Sequence, residues 1–299
     1  MTRIIAIGEC MVEMAPSESQ GEYRMGFAGD TMNTAWYLRK LLPPSDHVDY
    51  LTAVGSDATS AKMTGFLEEA GIGTGQIARR DGLTVGLYMI SLADGERSFS
   101  YWRGQSAART LAQDAAALDA ALDGADVAYF SGITLAILPD DDRARLLEAL
   151  SKFRAKGGDV VFDPNLRPGL WPSSEAMTDA VMQAAAVSST VLPSHEDEAT
   201  WFGDADTAAT AQRYVSCGAQ TVIVKNGPDE MLAWDAGTTS THAPVAAVKV
   251  VDTTAAGDSF NAGFLASRIA GQPLDVSINA AANLAARVIQ ARGALADVT

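Results

Sequence analysis

Short apolar runs alternate with polar turns and longer mixed segments along almost the whole chain. Ile4 to Gly8 is apolar without a break, which predicts a strand buried on both faces of a parallel sheet. Glu9 and Glu13 then alternate with Cys10, Val12 and Met14, as in a strand that leaves the core and becomes half exposed. Tyr23 to Phe27 predicts another short strand. Ala28 to Asn33 then enters a helix that Pro43 and Pro44 stop at about Leu42. The run VDYLTAVG predicts a strand, and a helix follows near Ser60 to Ala70.

Val85 to Leu92 and Arg97 to Arg103 flank Ala93-Asp94-Gly95-Glu96, the pattern of a β-hairpin. With the strands between about 10 and 27, this hairpin (about 85 to 103) forms a small sheet beside the main one. A helix from about Ala107 to Leu122 leads to the strand ADVAYFSGI, a helix over Asp140 to Lys156 and the strand GDVVFDPNLRPGLW. A helix near Ser174 to Ser188, the strand-turn-helix TVLPSHEDEATWFG and the strand-loop-strand TVIVKNGPDEMLAW continue the series. Val250 and Val251 end a strand-like run, a buried helix begins near Ser259, and a last helix covers Asp275 to Ala291. The alternation predicts an α/β fold: a doubly wound, mostly parallel sheet with a small β-sheet appended, within one domain spanning 1–299.

Composition narrows the classes of function. The formal charge is 22 − 37 = −15, which argues against nucleic acid and against anionic membrane surfaces as partners. It also requires a site for an anionic ligand to gather its few cations locally. No apolar stretch reaches the ~20 residues of a membrane span, and the first residues suit a strand better than a signal peptide, so a cytoplasmic protein is expected. Cys10 and Cys217 lie in separate apolar segments and predict buried free thiols. There is no G-x-x-x-x-G-K-[ST], no G-x-S-x-G and no zinc-type spacing. GIGTG at 71–75 follows a helix and lacks the sixth-position glycine of a dinucleotide fingerprint.

The most informative stretch is VVDTTAAGDSFNAGFL, residues 250–265. Ala255, Ala256 and Gly257 have almost no side chain, so their amides can approach an anion where a helix N-terminus favours negative charge. A carboxylate there, Asp258, would repel phosphate unless it served as a base for an attacking hydroxyl, although a helix cap with small residues for close packing would account for the same turn. Asp163, Asn165 and Arg167 follow a strand, at the sheet edge where open α/β folds collect ligands. Tyr101 and Arg103 share one strand face with Trp102 on the other; aromatics on such a hairpin more often serve packing or dimer contacts, but an arginine beside a tyrosine suits a carboxylate or a hydroxyl-rich ligand. A glycine turn with Asp30 as helix cap would account for Gly29, Asp30 and Asn33 without any function.

DTTAAGD resembles the Asp-Thr-x-Gly-Ala-Gly-Asp signature of the ribokinase-like (PfkB-type) carbohydrate kinases, with Ala255 at the first glycine. AGDTMN is similar to that family's Gly-Gly-x-x-x-Asn sugar motif, and the two occur in the expected order. The exchange at Ala255 is conservative where φ is negative and costly where it is positive. The strings IGECMVEM, AGDTMNTA, SYWRGQSAA and VDTTAAGDSFNAGFL are similar in particular to its 2-keto-3-deoxygluconate kinase branch. The resemblance covers essentially the whole chain. It implies transfer of phosphate from ATP, with Mg²⁺, to the 6-hydroxyl of a keto-deoxy sugar acid, Asp258 being the base and the amides of Ala255 to Gly257 the anion hole.

By the same resemblance Gly29, Asp30, Asn33, Tyr88, Tyr101, Arg103 and Arg167 are sugar positions. Asn165, Lys225, Gly227, Ala255, Ala256 and Gly257 are nucleotide positions, joined by Asn283 or Asn279 at the adenine. The small sheet becomes a lid, with a homodimer formed through it. No protein side chain is assigned as a direct metal ligand. Two departures matter: Glu230 replaces the last glycine of the nucleotide loop, and His195 stands where the asparagine of an Asn-x-x-Glu element is expected. Glu198 is kept as an indirect contributor to metal binding and His195 is read as a polar cap. The alternatives are a kinase of a neutral sugar such as fructose or ribose, and a non-catalytic sugar-binding protein on the same fold.

Overall fold

The computed structural model describes residues 1–17, 19, 21–93, 96–247 and 249–298. In chain order its strands are β1 (Arg3–Ile7), β2 (Met11–Pro16), β3 (Tyr23–Ala28), β4 (His47–Gly55), β5 (Ile77–Arg80), β6 (Leu87–Ala93), β7 (Glu96–Trp102), β8 (Val127–Ser131), β9 (Asp159–Asp163), β10 (Thr190–Val191), β11 (Thr221–Val224), β12 (Met231–Asp235) and β13 (Thr238–His242). The helices are α1 (Asp30–Leu41), α2 (Ala58–Glu69), α3 (Ala115–Leu122), α4 (Gly132–Ile137), α5 (Asp140–Ala155), α6 (Ser174–Val187), α7 (His195–Phe202), α8 (Thr207–Ser216), α9 (Ala256–Ile269) and α10 (Leu274–Val288). Among the described residues no helix is long and apolar enough to cross a membrane.

The main sheet runs β13-β12-β11-β10-β9-β8-β1-β4-β5 and is parallel from β5 to β11. Its alternation is apolar on both sides, as a sheet between two helix layers requires. Ile4 and Ala6 pack with α1, α2, α9 and α10, while Ile5 and Ile7 pack with α3, α5, α6 and α8. Burying each large aliphatic chain contributes about 1.5–3 kcal/mol relative to exposure. The six residues between β11 and β12 are too few for a parallel crossover, so β12 turns back antiparallel. β13 follows through Ala236 and Gly237, both at positive φ, the geometry of a two-residue hairpin turn.

The small sheet has the order β3-β2-β6-β7 and lies over the carboxyl ends of the main strands. Asp94 and Gly95, at the expected hairpin tip, are outside the described residues. The chain passes between the sheets around Glu9, Gly29, Gly86 and Arg103.

Several boundaries differ from the sequence reading. The helix expected over 107–122 is a 3₁₀ turn (Ala107–Thr110) followed by α3, because Asp114 caps a new helix by accepting from the amides of Ala116 and Ala117. Val250 and Val251 are exposed and outside any strand, and α9 starts at Ala256 instead of Ser259. Strands β5 and β13 and helix α4 carry too short or too polar a pattern for periodicity to reveal, whereas α8 is a ten-residue helix that buries Thr210, Ala211 and Tyr214 on one face. Both cysteines are free, Cys10 buried and Cys217 only half-buried, because Cys217 ends α8 near the surface.

One glycine marks a close approach of sheet and loop. A Cβ at Gly132, at the start of α4, would lie 1.9 Å from the Pro164 carbonyl oxygen. Gly132→Ala should therefore cost about 2–3 kcal/mol and lower the melting temperature by several degrees. Gly65→Ala, in the interior of α2 with open space around it, should gain about 0.5–1 kcal/mol. Thermal unfolding of the two variants beside the unaltered protein checks both signs.

Candidate active site

The carboxyl ends of the parallel strands open into a cleft of about 500 Å³. Glu9 lies just past β1, Ile133 past β8, Asp163, Asn165 and Arg167 at and after β9, Ser194 past β10 and Lys225 past β11, and all of them line it. This is the edge at which open α/β sheets gather ligands. The start of α1 adds Gly29, Asp30 and Asn33, the small sheet adds Tyr88, Phe99, Tyr101 and Arg103, and residues 253–258 close the other side. Gly227 sits in the exposed turn after β11, and Asn283 and Asn279 are exposed on α10, the former donating to the carbonyl of the latter. None of these three is among the residues lining the cleft.

At the cleft floor Asn33 Nδ2 donates to Asp258 Oδ2 at 2.8 Å, and Asn165 Nδ2 donates to Asp30 Oδ2 at 2.9 Å. Asp30 is the first residue of α1 with Gly29 before it as the cap, so its carboxylate is not the helix cap. Beneath them Asp163 Oδ2 accepts from Asn261 Nδ2 at 2.6 Å and from Lys225 Nζ at 3.3 Å. Burial first, and then the negative Asp30, push the Asp258 carboxyl up to about 8; the Asn33 hydrogen bond opposes them, Asp163 adds to the rise and Lys225 works against it.

The N-terminal end of α9 differs in detail from the expected anion hole. The Ala256 amide is turned to the Thr253 carbonyl at 3.2 Å. Ser259 already closes the first helical bond, to Ala255. That leaves the amides of Gly257 and Asp258 heading the helix, where the dipole favours an anion. Ala255, standing at the family's first glycine, has φ 60° and ψ 17°. This is the left-handed region that costs an L-residue about 1–2 kcal/mol.

On the small sheet Tyr88, Phe99 and Tyr101 form a cluster with centroids 5.9–6.3 Å apart. Tyr88 donates to Glu13 Oε2, and burial followed by that carboxylate raises its pKa far above the usual tyrosine value. Arg103 faces the cleft but is engaged with the buried carboxylate of Glu9, its Nε donating to Oε2 at 2.8 Å. Arg167 is half exposed, with Asp197 Oδ2 3.8 Å away.

The element after β10 is read one residue too late from sequence. Glu198 is fully buried and faces α8, accepting from Arg213 at 2.7 Å and from Tyr214 at 2.9 Å. Burial raises its carboxyl to about 7 against the pull of Arg213. His195 Nδ1 lies 3.1 Å from Thr210 Oγ1, and the residue at the cap position is Ser194. Ser194 and Asp197, also three apart, are the residues that line the cleft. Three consecutive acids in HEDE hide that register in the sequence. Asn261 carries one legible signal in the sequence, its position one turn after Asp258. Among the described residues no three His, Cys, Asp or Glu side chains are grouped to hold a metal ion.

The family model for pfkB family carbohydrate kinases matches residues 1–299. The 2-dehydro-3-deoxygluconokinase of Haemophilus influenzae is 39% identical over 303 residues, covering 99% of this chain and 96% of its own length. That of Dickeya dadantii is 39% identical over 299 residues, with coverages of 98% and 96%. Among solved structures, a PfkB protein from Polaromonas superposes with a TM-score of 0.85 at 25% identity, covering 97% of this chain and 96% of that one. A fructokinase with bound ATP from Xylella fastidiosa gives a TM-score of 0.83 at 23% identity, with coverages of 98% and 93%, a likeness of fold.

Two measurements follow from the geometry. Ala255→Gly relieves the left-handed residue at some cost in unfolded-chain entropy, and should stabilise the protein by about 0.5–1 kcal/mol in denaturant titrations. The folded protein holds the Asp258 proton that the unfolded chain releases near pH 4, so this carboxyl should lower stability as pH rises from about 4 to about 8. Asp258→Asn should flatten that slope and be the more stable of the two proteins at pH 8. Parallel slopes in the two proteins would contradict the raised pKa.

Proposed function

The chain belongs to the pfkB family of carbohydrate kinases, and on that footing we propose that it phosphorylates 2-dehydro-3-deoxy-D-gluconate at the 6-hydroxyl, with Asp258 as the base. The observation that carries the substrate is the 39% identity, over nearly the whole chain, to relatives named for that activity. The cleft supports the same reading. Asp258 stands at the head of α9, held by Asn33, with the amides of Gly257 and Asp258 beside it.

In this mechanism the ionised form of Asp258, whose population grows as pH rises toward about 8, takes the hydroxyl proton as the sugar oxygen bonds to the γ-phosphorus. The bond from that phosphorus to the β-γ bridging oxygen breaks, and ADP leaves with its electron pair. The α9 amides and Lys225 hold the charge on the transferring group, which is positioning and electrostatics more than covalent chemistry. Mg²⁺ brought with ATP would spread that charge, and Asp197, which lines the cleft with Arg167 3.8 Å away, is the acid that would face it. Arg167 is the cation for the sugar carboxylate. The Glu9–Arg103 pair is neutral overall, so Arg103 contributes hydrogen bonds more than charge.

The small sheet acts as a lid over the sugar. Its outward side exposes Tyr23, Met25 and Trp102, a face suited to a second copy of the chain.

ATP turnover with Mg²⁺ against the keto-deoxy gluconate, its galactonate epimer, gluconate, fructose and ribose tests the reading. Preference for the keto-deoxy acids is expected. Arg167→Ala should raise KM for the acid about 10–100-fold and leave neutral sugars little changed. Asp258→Asn should lower kcat by about 10²–10⁴-fold. Preference for fructose or ribose would replace the substrate, and near-normal turnover by folded Asp258→Asn would remove the base.

A further inference from the structure

The Glu9 carboxylate lies at the junction of the two sheets. Four chain passages meet there. Glu9 itself links β1 to β2, and a Cβ on Gly29, between β3 and α1, would come 2.2 Å from the Glu9 carbonyl oxygen. A Cβ on Gly86, before β6, would come 2.7 Å from Glu9 Oε1, and Arg103, just after β7, binds the carboxylate. Glu9 is 2% exposed. Both Arg103 contacts, from Nε and from Nη2, fall on Oε2, and Oε1 has no hydrogen-bond partner.

That arrangement is a poor device for stability. A buried ion pair recovers its desolvation cost only with full hydrogen bonding, and here one carboxylate oxygen is unpaired. An apolar pair of similar volume would serve the junction at least as well. What the pair does achieve is to fix the arginine. Two of the guanidinium's three nitrogens are held from beneath, and Nη1 has no partner among the described residues, on a side chain that lines the cleft.

We propose that Glu9 is a positioning residue for the sugar site: it holds the Arg103 guanidinium in one orientation at the sheet junction, so that Nη1 meets the substrate without a search over rotamers. This rests on the sugar-kinase reading in so far as Arg103 is taken to touch the sugar. An arginine released from Glu9 would lose its fixed geometry, and the loss would appear in sugar affinity, not in the nucleotide half of the cleft or the phosphoryl-transfer step.

The test is a double-mutant cycle of Glu9→Gln, Arg103→Met and the pair together, with sugar Kd by titration calorimetry and KM for ATP by turnover. The sugar is whichever of the panel the unaltered enzyme binds most tightly. Glu9→Gln should weaken sugar binding about 10–100-fold and leave KM for ATP unchanged. In the Arg103→Met background it should add nothing. Equal weakening in both backgrounds, a parallel rise in KM for ATP, or unchanged sugar binding overturns the proposal. Should Glu9→Gln fail to fold, Gly86→Ala displaces the same carboxylate from the other side and should show the same sugar-selective loss. Calorimetry needs no turnover, so sugar binding without ATP consumption would defeat the kinase reading alone, and absence of any sugar binding would defeat both.

Discussion

A small buried polar cluster holds the working parts of this molecule in register. Asn261 on α9 donates to Asp163 at the end of β9 and to the Tyr129 hydroxyl on β8, while Lys225 after β11 reaches both Asp163 and Asn261. Thr34 Oγ1 on α1 lies 3.2 Å from both the Tyr129 hydroxyl and the Asp258 carbonyl oxygen. Helices α1 and α9 are thus tied to each other and to three strands by groups that water cannot replace. In a low-dielectric interior such a network is costly unless complete, which is why it specifies one arrangement. The meeting of Asn33 with Asp258, 225 residues apart in sequence, depends on it.

The cleft is acidic in an acidic protein, and its few cations are already committed. Lys225 serves Asp163, and Arg103 serves Glu9. Asp30 accepts from a neutral amide and sits close enough to raise Asp258. In the proposed mechanism the transferring phosphoryl group therefore relies on directed groups, the α9 amides and Lys225, with Arg167 left for the sugar carboxylate, and not on a broad positive field. On that proposal the site would select by geometry, since an anion that misses the amides meets carboxylates.

Much of the architecture was legible because the central strands leave no ambiguity. Ile4 to Ile7 cannot be half exposed, and the turn at 255–258, which alone would pass for a helix cap with small packing residues, is singled out by its likeness to the family signature. The parts that were not legible are those whose meaning depends on distant partners. Nothing in IGECMVEM announces that Glu9 meets an arginine 94 positions later. In HEDE the helical phase alone decides which acid faces the cleft, and that phase is fixed by Arg213 and Tyr214 drawing Glu198 to the far side. Asn261 reads as an anomaly in an apolar helix face until Asp163 and Lys225 are placed beside it. The conformation of Ala255 could be posed from sequence only as a question, because alanine itself gives no sign of positive φ.

The hairpin that closes the main sheet has a bearing on how the protein behaves in a crowded solution. A nine-stranded sheet ends in two rows of open backbone donors and acceptors, each able to recruit a foreign strand. Here one boundary is β13, Thr-Thr-Ser-Thr-His, and the other is β5, four residues ending in two arginines. A chain that added itself to either side would cover hydroxyls or guanidinium groups and gain little apolar contact. The long buried strands are kept in the middle, so the sheet is large without offering a surface on which fibrils could start.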